Sequence, residues 1–167
     1  MRQLPPKIAD DIYYIGVFDP DIRTFDIVMR TANGSSYNAY LIQTSDGVII
    51  VDTVKKEFQE TFFKHIESLC AYESIRYVIV HHIEPDHSGA LPELIQRAPH
   101  AKVLISPQAT MMLKALTNCE EINFETIWTN KQLTLGGKTI TFLTTPYLHW
   151  PETMSSYMHE DKLLFSG

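Results

Sequence analysis

The run Ile75-Arg76-Tyr77-Val78-Ile79-Val80 leads without a break into His81-His82-Ile83-Glu84-Pro85-Asp86-His87-Ser88-Gly89, and this junction constrains the fold more than any other part of the chain. The first segment is apolar and β-branched, the pattern of a buried strand. The residues that follow the junction, Ala90-Leu91-Pro92-Glu93-Leu94-Ile95, read as the opening of a helix. Imidazoles and carboxylates are thus crowded onto the loop leaving the carboxyl end of a strand, where α/β sheets carry ligands and catalytic groups. With Pro85 restricting the backbone at the centre, several of these side chains can converge on one point. A solvated acidic loop needs no such order, whereas a bound cation does.

The residue types narrow the cation. Imidazole with carboxylate suits iron, zinc or manganese, and a mixed set favours non-haem iron over an ion that prefers thiolate. His82, Glu84, Asp86 and His87 are too many ligands for one ion that keeps an open position. The economical division places His82 and Glu84 on one ion and Asp86 and His87 on a second. His81 points to the opposite side of the strand by alternation and is not counted as a ligand.

Composition excludes several classes. A chain of 167 residues with 44% hydrophobic content can bury a core and suggests one domain. The net charge of −6 and pI near 5.6 argue against a nucleic-acid partner, which requires a basic face. No apolar run approaches the ~20 residues of a membrane span. The start, Met1-Arg2-Gln3-Leu4-Pro5-Pro6, lacks the apolar region of a secretory signal, so the expected setting is cytoplasmic, without a membrane partner. Cys70 and Cys119 are isolated and read as reduced core thiols.

Along the chain, Asp11 to Val17 reads as a strand ending in the turn Asp19-Pro20-Asp21, and Phe25 to Arg30 as another short strand. Asn33-Gly34-Ser35-Ser36 is turn chemistry. Tyr37 to Ile42 and Val48 to Asp52 form a hairpin about Ser45-Asp46-Gly47. Asp52 is either the cap of the following helix or a group supporting the metal ligands. Phe58, Phe62, Ile66 and Leu69 share one helical face, and His65 beside them is an ordinary, partly exposed histidine. A helix from Ala90 to Arg97, a strand from Ala101 to Ser106 and a helix from Gln108 to Leu116 follow, with Met111 and Met112 as packing groups. Strand and helix therefore alternate from residue 48 to 116, as in βαβ units. Trp128 reads as a packing residue. The tail holds two hairpins, one turning at Gly136-Gly137 and one around His159-Glu160-Asp161.

The pattern His82-x-Glu84-x-Asp86-His87-Ser88-Gly89, with His149 sixty-two positions beyond His87, resembles the flavodiiron proteins (A-type flavoproteins). These are oxygen and nitric oxide reductases on a metallo-β-lactamase-like scaffold. His149-Trp150-Pro151-Glu152-Thr153-Met154 is similar to that family's His-Trp-Pro stretch, and Tyr37 to Ile42 and Ile49 to Thr53 are similar to its early strands. Glu84 is the specific element, since hydrolases on this scaffold usually carry histidine there.

The resemblance implies an α+β fold, the metallo-β-lactamase-like αββα sandwich, of which residues 1–167 would be the N-terminal portion only. It implies that His82, Glu84 and His149 hold one iron and that Asp86 and His87 hold part of a second. Trp150 and Tyr147, beside His149, are candidates for a flavin-facing wall, with core packing as the alternative for both and the preferred reading for Tyr147. The family also uses a bridging carboxylate and a further histidine. Neither is present, and the chain stops at Phe165-Ser166-Gly167, just where the bridging aspartate is expected, so it reads as a diiron domain incomplete at its C-terminus and without the FMN-binding flavodoxin domain. The implied reaction is reduction of O2 to water or NO to N2O, with electrons from FMN in a head-to-tail homodimer and a donor such as rubredoxin or a flavin reductase. Two other functions compete. One is a zinc hydrolase using a metal-bound hydroxide, which Glu84 disfavours. The other is a non-catalytic assembly or sensing module, whose half-sandwich would leave an apolar sheet face uncovered.

Overall fold

The computed structural model describes residues 4–117 and 122–167. Cys119 lies outside them, and Cys70 is a half-buried free thiol. The first third consists of short strands, β1 (Lys7–Ala9), β2 (Ile12–Tyr14), β3 (Val17–Asp19), β4 (Thr24–Phe25), β5 (Met29–Arg30) and β6 (Ser35–Tyr37). The strand expected over 11–17 is broken at Ile15 and Gly16, whose N–H groups both donate to Ala39 O, at 2.9 and 3.1 Å. That irregularity diverts the chain out of the main sheet. The strand expected over 25–30 is instead the tight β4–β5 hairpin.

The hairpin of β7 (Tyr40–Thr44) and β8 (Gly47–Val51) is as its turn chemistry predicts, with Thr44 paired to Gly47 across Ser45 and Asp46. Then come α1 (Gln59–Leu69), β9 (Ile75–Ile79), the single turn α2 (Pro85–Ser88), α3 (Leu91–Arg97), β10 (Lys102–Ile105), α4 (Thr110–Thr117) and β11 (Phe124–Thr126). The last four strands are β12 (Gln132–Leu135), β13 (Lys138–Thr144), β14 (Met154–Met158) and β15 (Leu163–Phe165).

Two sheets result. The first has seven strands in the order β1-β2-β7-β8-β9-β10-β11, and the second has four in the order β12-β13-β14-β15. Strands β8, β9, β10 and β11 are parallel, as alternation with helices requires. Their carboxyl ends therefore open onto one edge. The second sheet is antiparallel throughout. Its first turn, Gly136-Gly137, has positive φ at both residues (49° and 85°), the backbone that two-residue hairpins need and that glycine adopts without steric cost.

Alternation along the central strands sorts the core. Val48, Ile50 and Val78 face Phe62, Phe63 and Ile66 of α1, with Leu91, Leu94 and Leu113 from α3 and α4. Ile49, Val51, Ile79 and Leu104 face the second sheet's Ile140, Phe142, Met154, Met158 and Phe165. Each such side chain contributes about 1.5–3 kcal/mol through burial. The layers are thus helices, large sheet and small sheet. Among the described residues no helix covers the outer face of the small sheet. That face carries Thr139, Thr141, Leu143, Tyr157 and Leu164, so the uncovered sheet face expected of a half-sandwich is of mixed polar and apolar character there.

Besides Leu164, exposed apolar residues lie at Ile27, Val28 and Met29 in and beside the β4–β5 hairpin and at Tyr147 and Leu148. Three residues read as packing groups are in the open, Trp128 at 65%, Tyr147 at 78% and Met111 at 83% exposure, while Met112 packs against the core. No described helix is long and apolar enough to cross a membrane.

Candidate metal centre

The site lies where the parallel strands end. Asp52 follows β8, His81 and His82 follow β9, and Ser106 follows β10. The backbone ladder continues into this edge, with Asp52 N–H donating to Ile79 O at 2.8 Å and Val80 N–H to Leu104 O at 3.0 Å. The loop after His82 closes into α2, where Pro85 stands at the first helical position and Ser88 Oγ donates back to Ile83 O. This turn places Glu84, Asp86 and His87 together. From the second sheet, the loop between β13 and β14 brings His149, Trp150 and Glu152 to the same place.

His82, Glu84 and His149 each offer one ligand atom within 4.8 Å of the others. His82 Nε2 is 3.0 Å and His149 Nε2 3.3 Å from Glu84 Oε2. His87 Nε2 lies 3.6 Å from Asp86 Oδ2, and the His82 and His87 rings are 5.3 Å apart. The five residues singled out in the sequence are thus gathered as two adjacent groups. Trp150 stands edge-on to the His82 ring at 5.1 Å and to the His149 ring at 6.2 Å, forming one wall. Tyr147, expected to be a core group, is instead exposed.

Asp52 supports the cluster and does not cap a helix. Its Oδ1 accepts the His81 N–H at 2.7 Å, and its Oδ2 lies 3.0 Å from His81 Nδ1. His81 Nε2 reaches Ser156 Oγ at 2.9 Å, so this ring is held between the two sheets, on the side opposite to His82. Asp52 Oδ2 is also 3.3 Å from His87 Nδ1, within ion-pair range but misaligned for a hydrogen bond. Burial would push the Asp52 carboxyl up, yet His81 and His87 hold it well below the usual carboxylate range. Burial works against charge on His87, but Asp52, Asp86 and Glu84 outweigh it, and the imidazole is pushed up to about 9.

Glu152 was not distinguished in the sequence beyond its place in the His149–Met154 stretch. It is almost completely buried, and its Oε1 lies 2.6 Å from His82 Nδ1 and 3.2 Å from the Ile83 N–H. A carboxylate embedded beside Thr153 and Met154, in a segment entering an apolar strand, was the only signal available.

These residues fit a cation. Asp52, Glu84, Asp86 and Glu152 are close together, and among the described residues none is paired with lysine or arginine. Carboxylates gathered at a largely buried edge with only imidazoles to offset them are costly. Asp86 Oδ1 and His87 Nδ1 are buried with no hydrogen-bond partner among the described residues. Metal coordination would supply charge and occupy lone pairs at once. The donor set, nitrogen and oxygen without thiolate, suits iron, zinc or manganese.

Comparison with known proteins agrees with this architecture. Residues 36–167 match the family model described as ODP family beta lactamase. The chain is 40% identical over 164 residues to the type A flavoprotein fprA of Rhodobacter capsulatus, which covers 97% of this chain and 38% of that protein. The flavodiiron protein of Giardia intestinalis superposes with a TM-score of 0.93 at 30% identity, over 99% of this chain and 40% of that one. The rubredoxin oxygen:oxidoreductase of Desulfovibrio gigas gives a TM-score of 0.90 at 31% identity, over 95% and 39% of the two chains. The fold is accordingly metallo-β-lactamase-like. The chain spans about two fifths of the length of these relatives.

Proposed function

This chain belongs to the ODP family of beta lactamases, and from that premise we propose that it carries the ligands of a non-haem diiron centre in a flavodiiron oxidoreductase reducing O2 to water, NO to N2O, or both. The observation that carries the reading is the convergence of His82, Glu84 and His149 beside Asp86 and His87. His82, Glu84 and His149 would hold one iron, and Asp86 and His87 would contribute to the second. The names of the relatives, a type A flavoprotein, a flavodiiron protein and a rubredoxin oxygen:oxidoreductase, support the reaction class.

When bound, the two irons supply reducing electrons and open positions for a diatomic substrate. The chain's own residues do the rest. The end of β9 and the turn α2 set the spacing of the ligands, and Asp52 holds His81 and stands against His87. Exposed His149 and half-buried Trp150 close one side, and the Trp150 ring is the wall offered to FMN. FMN itself would come from a flavodoxin domain, presented by the partner in a head-to-tail homodimer. An external donor, rubredoxin or a flavin reductase, would refill it. The setting proposed is the cytoplasm.

The experiment is metal content and absorption of the chain after anaerobic iron loading. About two irons per chain with a diferric absorption band on oxidation is the expected result. Stoichiometric zinc, with iron refused, would replace this reading by the hydrolytic one. A well-folded chain that takes neither metal would leave the non-catalytic module.

A further inference from the structure

Glu152 shares the β13–β14 loop with His149, yet its side chain is directed at His82, on the other sheet. Glu152 as a whole is 1% exposed. Oε1 accepts from two neighbours on the β9 exit, the His82 ring at 2.6 Å and the Ile83 N–H at 3.2 Å. Oε2 is buried without a hydrogen-bond partner among the described residues. A buried carboxylate of this kind is expensive, and an apolar side chain would fill the same space at less cost. A role that needs negative charge explains its presence.

That role follows from the ring it touches. A carboxylate oxygen at 2.6 Å from Nδ1 requires the imidazole proton to be on Nδ1. In the neutral ring Nε2 is then a bare lone pair, and it lies 3.0 Å from Glu84 Oε2, another lone-pair donor. Two acceptors at that distance need a proton or a cation between them. His149 Nε2, at 3.3 Å from the same Glu84 oxygen, faces the same point.

We propose that Glu152 is a positioning residue for this centre: its carboxylate holds the His82 proton on Nδ1 and so presents Nε2 to a metal ion. The inference rests on the metal-centre reading and deepens it. Acceptance of the Nδ1 proton by a charged group also raises the electron-donating power of the ring. The carboxylate has a second consequence, since it ties the His149 loop to the end of β9. Ser106 Oγ anchors that loop from behind by donating to Glu152 O at 2.6 Å, and Thr153 Oγ1 donates to Thr145 O and, at 3.0 Å, to Trp150 O. Glu152 therefore orients His82 and, together with Ser106 and Thr153, fixes the loop that carries His149.

The test reads the His82 tautomer by ¹⁵N NMR, with zinc as a diamagnetic probe, in the wild-type chain and in Glu152→Gln and Ser106→Ala. In the metal-free wild type at a pH where the ring is neutral, the proton is expected on Nδ1, strongly downfield, and it stays there on zinc loading. E152Q keeps the shape and an acceptor oxygen but removes the charge, so zinc affinity should fall about 10- to 100-fold and the Nδ1 proton should move upfield. S106A loosens the loop without touching the carboxylate, and the Nδ1 signal should remain as in the wild type. A proton found on Nε2 in the wild type overturns the inference, as does a folded E152Q that binds zinc as tightly as the wild type. If E152Q does not fold, the wild-type tautomer decides alone. A wild-type chain that keeps its Nδ1 proton but binds no metal would instead defeat the metal-centre reading, and the two failures are thereby distinct.

Discussion

His149 and Glu84 meet with Nε2 3.3 Å from Oε2, although one leaves the small sheet after β13 and the other leaves the large sheet after β9. His149 is 63% exposed in its side chain, so it contributes little to the core. His149→Ala should therefore change the unfolding free energy of the metal-free chain by no more than about 0.5 kcal/mol. Its metal content should nevertheless drop from two ions to one. Denaturant unfolding together with elemental analysis separates the two effects, and a variant that retains both ions would remove His149 from the ligand set.

His87 must be neutral to coordinate a metal, whereas its neighbours push its proton affinity up to about 9 in the metal-free chain. Metal binding at pH 7 should accordingly release a proton from this ring. Calorimetry in buffers of different ionisation enthalpy measures it, and the affinity should climb with pH and level off above about 9. His87→Ala should abolish that released proton. Proton release unchanged in the variant would mean that His87 stays outside the coordination shell.

Asp52 is nearly inaccessible and satisfies His81 through two contacts while standing beside His87. Its replacement by alanine leaves the His81 N–H and Nδ1 without their partner. A loss of about 3–5 kcal/mol is expected, the range for breaking a buried pair on one side. Chemical denaturation of the metal-free protein gives the number, and a loss below about 1 kcal/mol would be that of an exposed pair instead.

Gly89 closes the turn that carries Asp86 and His87. A Cβ there would stand 2.6 Å from both Lys56 N and Pro85 O and 2.9 Å from Val54 O. All three are backbone atoms and cannot swing aside. Gly89→Ala should cost about 1–3 kcal/mol through overpacking. It should also weaken metal binding at the Asp86/His87 pair, because the turn must shift to make room. A thermal melt and a zinc titration check both, and a variant as stable and as metal-competent as the wild type would show the turn to be more yielding than its contacts indicate.

Local reading served well where neighbours in sequence are the determining partners. The β7–β8 hairpin, the parallel β8–β9–β10 run and the Gly136-Gly137 turn depend on alternation and turn chemistry within a few residues. Residue type alone predicts packing for Trp128, Tyr147 and Met111, and all three are exposed. Their burial depended on which surfaces another element covers, and that information is not local. The break at Ile15 and Gly16 is of the same kind, because both N–H groups turn to Ala39, a residue from a different part of the chain.

The sequence by itself determined the donor types, their spacing from His82 to His87 and their position at the exit of a strand, because adjacent residues on one turn cannot be far apart. The resemblance carried by the His149-Trp150-Pro151 stretch already implied that His149 joins them, whereas only the tertiary structure decided that Asp52 faces His81 and His87 instead of capping a helix, and that Glu152 reaches His82. Those contacts depend on stacking the small sheet on Ile49, Val51, Ile79 and Leu104 of the large one. Burial of that apolar face fixes the separation of the two sheets, and the polar atoms at their shared edge meet because the apolar atoms behind them pack.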